Sequence, residues 1–407
     1  MVTSTEKFSE LLTETAELRA EVELVVNAAP VMDVHTHLFP PEFNELCLFG
    51  IDELLTYHYL TAETFRSARI PYKQFWAMSK TAQADLVWKT LFVDNTPTSE
   101  AAQGIISVLD IFGLDTRARD LNEARAFFNS QNLAEHIDQV FDIAGVSGVV
   151  MTNDPLDEAE SQIWKNGVDV DHRFKSSLRL DSVLNGFDPE SPPAIRRLLD
   201  GSIQRLNPVY MAASLPADFK YPSDDIRDGL LREVVLPTAK EYGLTLTLMV
   251  GVRRAVNPEL REAGDGLGRA DVSVIERLCA DYPDVKFLVT FLSRENQHEL
   301  CVAARKFNNL MPFGCWWFLN NPSIVTEITR ERLELLGQSF IPQHSDARVL
   351  EQLIYKWKHA RRQIAHALCS SYEQLLQNGR AVTREEIARD VGRMFEGNFS
   401  DWIKAAD

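Results

Sequence analysis

Closely spaced cysteine pairs are absent from this sequence. The five cysteines among 407 residues are scattered, and no two stand in a Cys-x-x-Cys arrangement; they are Cys47, Cys279, Cys301, Cys315 and Cys369. This argues against a disulfide framework and against a zinc knuckle. Reduced thiols in a cytoplasmic protein are the simpler interpretation.

Positive charge is also scarce. The chain has 42 Lys and Arg against 59 Asp and Glu, for a formal net charge of −17. This balance argues against nucleic acid or an anionic membrane as the main partner. It leaves room for an anionic small molecule, because a few arginines can form a local positive pocket.

Long apolar runs, internal repeats and glycine-rich phosphate loops are absent as well. No segment approaches the length that spans a membrane. The first seven residues lead into an acidic amphipathic stretch without the basic and apolar regions of a signal peptide. We therefore expect a soluble, cytoplasmic protein.

Short apolar segments alternate with longer helical patterns through most of the chain. Eight segments are predicted as strands: 31–37, 145–151, 177–183, 208–215, 244–252, 285–292, 310–318 and 339–344. Nearly continuous apolar strands separated by helices are typical of a parallel sheet covered on both faces. Eight such units predict an α/β fold, a (β/α)8 TIM-type barrel, with a doubly wound sheet as the main alternative.

The helical patterns outside this alternation define the predicted domain organisation. Residues 1–30 are predicted as an N-terminal helical segment and 31–407 as a single barrel domain. A large helical insertion is expected at about 42–140, after the first strand, with extra C-terminal helices at 346–406. An insertion in this place would rise from the catalytic face and cap it.

Two histidines, His35 and His37, end the first predicted strand. Side chains two apart on a strand point to the same side, so the two imidazoles would form neighbouring corners of a metal site. His-x-His is a weak signal alone. Its position at a strand end makes it informative.

Other charged side chains fall at the carboxyl ends of predicted strands, where a barrel has its active site. Arg179 lies on strand three, Arg294 follows strand six, and Asp346 follows strand eight. Strands one and eight are neighbours in a closed barrel, so Asp346 can complete a site begun by the histidines. The alternatives are a buried core imidazole at His35, a helix N-cap at Asp346 and solvated arginines.

Several segments between residues 30 and 357 resemble the uronate (glucuronate) isomerases of the amidohydrolase superfamily. They are MDVHTHLFPPEF, DELLTYHYLTAE, VVMTNDPLD, LRLDSVLN, FLVTFLSRENQHEL, FGCWWFLNNP and FIPQHSDARVLEQLIYKW. The resemblance implies a metal-dependent aldose–ketose isomerase that interconverts D-glucuronate and D-fructuronate. A proton moves between C2 and C1 through an enediol. D-galacturonate and D-tagaturonate are a second pair, and the residues that would read C4 are not identifiable in the sequence.

The ligand set expected of a binuclear amidohydrolase is incomplete. Predicted strand four has no lysine and predicted strand five no histidine. We therefore expect one divalent metal, held by His35, His37 and Asp346, with zinc in first place although manganese, iron and cobalt accept similar ligands. The roles of His298 and His344 stay open.

The resemblance also implies substrate contacts. Arg179 and Arg294 would bind the substrate carboxylate, because the guanidinium fork suits a carboxylate, and the indole N–H of Trp357 would assist. Trp357 falls in a helical pattern, so a core position is the alternative. His58 would bind substrate nearby.

Proton transfer is implied for Tyr59 and Arg348, and Asp346 would also take a proton from a substrate hydroxyl. Arginine stays protonated at working pH. Arg348 is therefore more plausible as the charge that lowers the pKa of Tyr59, with tyrosinate as the carrier.

Two other functions compete with isomerisation. One is a mononuclear metal-dependent hydrolase of the same superfamily, using Asp346 as base. The other is a catalytically silent sugar-acid binding protein. We expect a small-molecule sugar acid as ligand, and the apolar faces of the long helices leave a homo-oligomer open.

Overall fold

Seven parallel strands form the central sheet of the computed structural model, which describes residues 11–185 and 192–404. They pair side by side in chain order. Their bounds are β1 Val31–Thr36, β2 Val146–Asn153, β3 Phe174–Arg179, β4 Tyr210–Pro216, β5 Thr245–Arg253, β6 Phe287–Phe291 and β7 Leu310–Pro312. Nearly all their residues are buried because helices cover the outer face and side chains fill the inner one.

The helices occupy the connections between strands and both flanks of the sheet. They are α1 Thr15–Ala28, α2 Ile51–Thr56, α3 His58–Ser67, α4 Tyr72–Trp76, α5 Lys80–Trp88, α6 Glu100–Ile111, α7 Asn122–Asn129, α8 Leu133–Ala144, α9 Glu158–Lys165, α10 Asp181–Asn185, α11 Pro192–Leu206, α12 Ile226–Leu230, α13 Leu236–Tyr242, α14 Ser273–Asp281, α15 Gln297–Ala304, α16 Pro322–Leu336, α17 Gln352–Gln377, α18 Arg384–Gly392 and α19 Asn398–Ile403. Among the described residues, none of these helices is long and apolar enough to cross a membrane.

The chain between β1 and β2 is helical, as its sequence pattern predicts. It contains α2 to α8 and begins with a 3-10 helix at Pro41–Leu46. Two further short strand pairs lie outside the parallel sheet: Leu11–Leu12 with Val382–Thr383, and Gly266–Leu267 with the end of β5. The helical chain after β1 brings the residues around position 58 to the same end of the sheet as the β1 histidines.

The predicted eighth strand at 339–344 does not form. The segment makes one parallel bridge, between Phe313 and Ile341, because Pro342 has no N–H to continue a ladder. It still lies between the first and last strands. Ile341 N donates to Pro312 O at 3.1 Å on one side, and Asp346 N donates to His35 O at 3.1 Å on the other.

The inner face of the sheet is filled by one cluster of buried side chains. Members come from β1, β2, β4, β5, β6 and β7, together with Ile341 and Phe399 of α19. The Phe399 ring lies 6.2 Å from that of Tyr210, the first residue of β4. With the interior filled in this way, a ligand of the barrel would bind beyond the carboxyl ends of the strands.

Candidate metal centre and cleft

Three side chains meet at the carboxyl end of β1. The Nε2 atoms of His35 and His37 lie 3.6 Å and 3.4 Å from Asp346 Oδ1. All three potential ligand atoms lie within 4.8 Å of one another. The sequence-based grouping of these residues therefore holds in three dimensions.

The hydroxyl of Tyr210 fixes the orientation of the His35 ring. It donates to Val34 O at 2.7 Å and lies 3.4 Å from His35 Nδ1. Its single hydrogen is committed to the carbonyl, so it can only accept from the imidazole. His35 then carries its proton on Nδ1, and the Nε2 lone pair is directed at Asp346, as a metal ligand requires.

The protonation states of the three groups suit a cation. Burial lowers the pKa of His37, and that of His35 well below its usual value. Burial alone would raise the pKa of Asp346, but the facing imidazoles and the Lys356 ammonium hold it well below its usual range. Two neutral imidazoles and one carboxylate form a donor set that fits zinc or a similar divalent ion.

A cavity of about 220 Å³ opens beside these ligands. This is below the usual volume for drug-sized ligands, so the cavity suits a small molecule. Of the residues predicted from sequence, His35, His37, His58, Arg179, Asp346 and Arg348 line it.

Each predicted arginine in the cavity wall has an acidic neighbour. Arg179, the last residue of β3, donates to Asp181 Oδ2 at 2.7 Å. Arg348, which is half-buried, donates to Oε2 of the exposed Glu262 at 3.1 Å. Asp181 also accepts from Ser214 N at 2.7 Å, so Arg179 is the more firmly oriented of the two.

Three predicted substrate or proton-transfer residues lie outside the cavity wall. Arg294 is exposed and makes two hydrogen bonds to Glu327, at 2.9 and 3.0 Å. Trp357 is 1% exposed, and its indole N–H donates to Asp33 at 2.8 Å, so it takes the core position that the sequence left as the alternative. Tyr59 is half-buried, and its shielded hydroxyl has no hydrogen-bond partner among the described residues.

The expected effect of Arg348 on Tyr59 is not found. Burial raises the pKa of Tyr59 well above its usual value, and the neighbouring Tyr57 and Asp346 raise it further. The tyrosine on which the Arg348 charge acts is Tyr57, where it lowers a pKa that burial raises. Tyr57 also lines the cavity, and its ring lies 5.1 Å from that of Tyr59.

Sequence reasoning missed several cavity residues. No pattern in the sequence distinguishes Tyr57 from its neighbours. Trp316 and Trp317 both line the cavity, and both lie beyond Pro312, where β7 ends, so strand alternation does not direct their side chains. Trp317 has a positive φ of 48°, which is unusual for a bulky residue. Within the part of the chain that the structure describes, its indole nitrogen has no hydrogen-bond partner. Arg254, paired with Asp265, was also missed.

The two histidines whose roles were open take different places. His344 is buried, and its ring lies 5.4 Å from that of His35, outside the group of ligand atoms. A Cβ on Gly314 would lie 1.8 Å from its Nδ1, so only glycine fits beside it. His298 is exposed on α15, away from the metal centre.

Comparison with solved structures finds close similarity over the whole fold. A uronate isomerase from Bacillus halodurans C-125 is 47% identical, with a TM-score of 0.94 over 97% of this chain and 98% of its own. No protein-family model and no curated protein matches the chain.

Two more distant structures share the fold. A uronate isomerase from Thermotoga maritima has a TM-score of 0.73 at 14% identity, covering 99% of this chain and all of its own. A glucuronate isomerase from Caulobacter crescentus has a TM-score of 0.71 at 15% identity, covering 100% of this chain and 98% of its own.

Proposed function

Because this chain belongs to the uronate isomerase family, we propose that it interconverts D-glucuronate and D-fructuronate, with D-galacturonate and D-tagaturonate as a second pair. The observation that carries the proposal is the His35, His37 and Asp346 group facing a small cavity with arginines in its wall. Isomerisation of a sugar acid needs a carboxylate-binding group and a means of moving a proton between C2 and C1.

The proposal includes one divalent ion, zinc in first place, held by His35 Nε2, His37 Nε2 and the Asp346 carboxylate. When bound, such an ion acts as a Lewis acid that stabilises negative charge developing on oxygen. Asp346, which is ionised, would also accept a proton from a substrate hydroxyl.

Arg179 is our candidate for binding the substrate carboxylate. It is partly buried, and its hydrogen bond to Asp181 orients its guanidinium at the cavity wall. A charged donor in such a place forms stronger hydrogen bonds to a carboxylate than an exposed one. Arg254 lines the same cavity and is a second candidate, whereas Arg294 and Trp357 would need to leave their present partners to take part.

Two tyrosines compete for the proton-transfer role. Family resemblance points to Tyr59, whose unpartnered hydroxyl is a buried polar group of the kind that marks functional sites. Position in the cavity wall and proximity to the Arg348 charge favour Tyr57. Either would carry the proton between C2 and C1, and for Tyr57 the Arg348 charge would stabilise the phenolate.

His58 and Trp317 are proposed to hydrogen-bond the sugar hydroxyls. Both line the cavity, and neither His58 Nε2 nor Trp317 Nε1 has a hydrogen-bond partner within residues 11–185 and 192–404. Burial and the Arg348 charge lower the pKa of His58 to about 3, so its imidazole is neutral at working pH. A neutral ring can donate or accept, which suits a hydroxyl.

The architecture is proposed to be a closed TIM-type barrel in one domain, with 339–347 in place of an eighth strand and the helices between β1 and β2 as an insertion. The hydrogen bonds of Ile341 to Pro312 and of Asp346 to His35 support this closure. A cytoplasmic location is proposed because all five cysteines are free.

The first experiment measures conversion of D-glucuronate to D-fructuronate by the purified protein, with chelator and with zinc restored. We expect turnover that chelator abolishes and zinc recovers. Absence of turnover of glucuronate and galacturonate with every metal would overturn the isomerase proposal and bring the metal-dependent hydrolase forward.

The proton carrier is identified by running the reaction in deuterated water. Tyr57→Phe and Tyr59→Phe form a matched pair, because each removes one hydroxyl and keeps the ring. We expect the variant that lacks the carrier to lose both turnover and deuterium incorporation at the transferred position. The other variant should retain incorporation close to the wild-type rate.

A further inference from the structure

Asp33 is a buried carboxylate on the strand that carries the metal-binding histidines. It lies two residues before His35 on β1, and the His35 N–H lies 3.5 Å from its Oδ1. It has no exposed surface. A carboxylate in this place must be satisfied by donors from the protein.

Its donors come from the segment that carries Asp346 and from α17. Ser345 N lies 3.0 Å from Asp33 Oδ1, and the indole N–H of Trp357 donates to Asp33 Oδ2 at 2.8 Å. Asp33 therefore connects β1, the residue directly before Asp346, and the first turns of α17.

Ser345 is held from three directions. Besides the bond from its N–H to Asp33, its carbonyl accepts from the buried Lys356 Nζ at 2.7 Å. Its hydroxyl accepts from Ala347 N at 3.1 Å.

This restraint acts next to a strained residue. Asp346 has a φ of 51°, which is uncommon for any residue except glycine. Such a conformation persists only where the surroundings over-determine it, and strain of this kind is concentrated at functional sites. Here the strained backbone directs the carboxylate at His35 and His37.

We propose that Asp33 and Trp357 are positioning residues, which hold Ser345 so that the Asp346 carboxylate is directed at the metal. The inference deepens the proposed function and rests on its metal centre. It gives Trp357 a role through Asp33 in place of the substrate contact that the family resemblance implied. The two roles make different predictions.

The test is a comparison of Trp357→Phe with wild type. Phenylalanine keeps an aromatic ring in the core and removes the N–H that donates to Asp33, together with part of the indole ring. Zinc affinity of the metal-free protein is measured by competition with a chromophoric chelator, and kcat and KM are measured separately. We expect zinc to bind about 10- to 100-fold more weakly, as for partners of metal ligands in general, with kcat reduced and KM nearly unchanged.

Trp88→Phe is the matched control. Trp88 is also buried, at 2% exposed, and its indole N–H donates to Ala118 O at 3.1 Å within the helices that follow β1. The Trp88→Phe variant should lose about as much thermal stability as Trp357→Phe and retain wild-type zinc affinity. Equal weakening of zinc binding in both variants would show general destabilisation and overturn the proposal.

Asp33→Asn provides a second variant with almost the same shape. Its amide has one neutral acceptor oxygen in place of two charged ones, so the hydrogen bonds from Ser345 N and Trp357 Nε1 are weakened and zinc affinity should fall here too. Because the two residues act through one another, the double variant should bind zinc no more weakly than the weaker single variant. Fully additive losses would overturn the proposal.

The outcomes separate this inference from the proposed function. A raised KM with unchanged zinc affinity in Trp357→Phe would return Trp357 to the substrate and overturn the positioning role, while the isomerase function stands. Weakened zinc binding in an enzyme that turns over no uronate would support the positioning role and overturn the proposed function.

Discussion

At the scale of single residues, similar side chains with the same predicted role have very different surroundings. Arg179 and Arg294 were both expected at the substrate carboxylate. Arg179 lies at the end of β3 in the cavity wall, whereas Arg294 is exposed and bonded to Glu327. An exposed ion pair contributes little, so its removal should leave both stability and catalysis almost unchanged.

Arg179→Ala and Arg294→Ala test this difference directly. We expect kcat/KM for glucuronate to fall about 10- to 100-fold in Arg179→Ala, because a charged hydrogen bond contributes about 1.5–3 kcal/mol. Arg294→Ala should stay within about twofold of wild type. A larger loss in Arg294→Ala would mean that Arg294 leaves Glu327 and reaches the substrate.

At the scale of elements, the end of β2 and the start of α9 share a buried carboxylate. Glu160, 6% exposed, accepts from Asn153 Nδ2 at 3.0 Å and from Asp154 N at 3.4 Å. Burial raises its pKa to about 7, although these hydrogen bonds oppose the increase. The connection between strand and helix is therefore more stable when Glu160 is protonated.

The unfolding free energy should respond to pH through this group. The folded pKa, about 7, lies above the ordinary value of 4.5, so the contribution is complete below pH 4.5 and is lost as pH rises to about 7. This difference between the two pKa values corresponds to about 3 kcal/mol of unfolding free energy. Glu160→Gln removes the titrating group. The unfolding free energy of wild type should therefore fall by about this amount, relative to that of the variant, between pH 5 and pH 8.

Urea denaturation of both proteins at several pH values measures this difference. Other groups titrate in the same range, and comparison with Glu160→Gln cancels their contribution. A wild-type-minus-variant difference that is independent of pH would show that Glu160 is already ionised in the folded protein at pH 5.

At the scale of the whole molecule, the metal centre joins distant parts of the chain. His35 and His37 come from β1, and Asp346 comes from the segment before α17. The same segment bonds to Pro312 near the end of β7. A ligand that binds all three residues therefore binds the folded state and not the unfolded chain.

Zinc should accordingly raise the melting temperature. At a free concentration 1,000 times its dissociation constant, binding stabilises the folded state by about 4 kcal/mol. For a chain of 407 residues this is an increase of a few degrees. Scanning calorimetry on metal-free protein measures it, and Asp346→Asn should show little increase. An equal increase in the melting temperature of Asp346→Asn would mean that zinc binds at another site.

The sequence by itself determined the order of the elements and part of the site. Apolar, β-branched runs predict seven strands that form, because such runs are stable only when buried on both faces. The His35-x-His37 spacing predicts two imidazoles on the same side of the chain, because strand geometry is local. Adjacency of the chain ends in a barrel predicts Asp346 as their partner.

Only the tertiary structure decided which other side chains reach the cavity. Pro342 prevents an eighth strand, but the hydrogen bonds of its neighbours on either side still bring Asp346 to His35. Trp357 bonds to Asp33 inside the core, while Tyr57 and Trp317 line the cavity. These placements depend on loop conformation and on partners distant in sequence. Local sequence periodicity therefore cannot predict them.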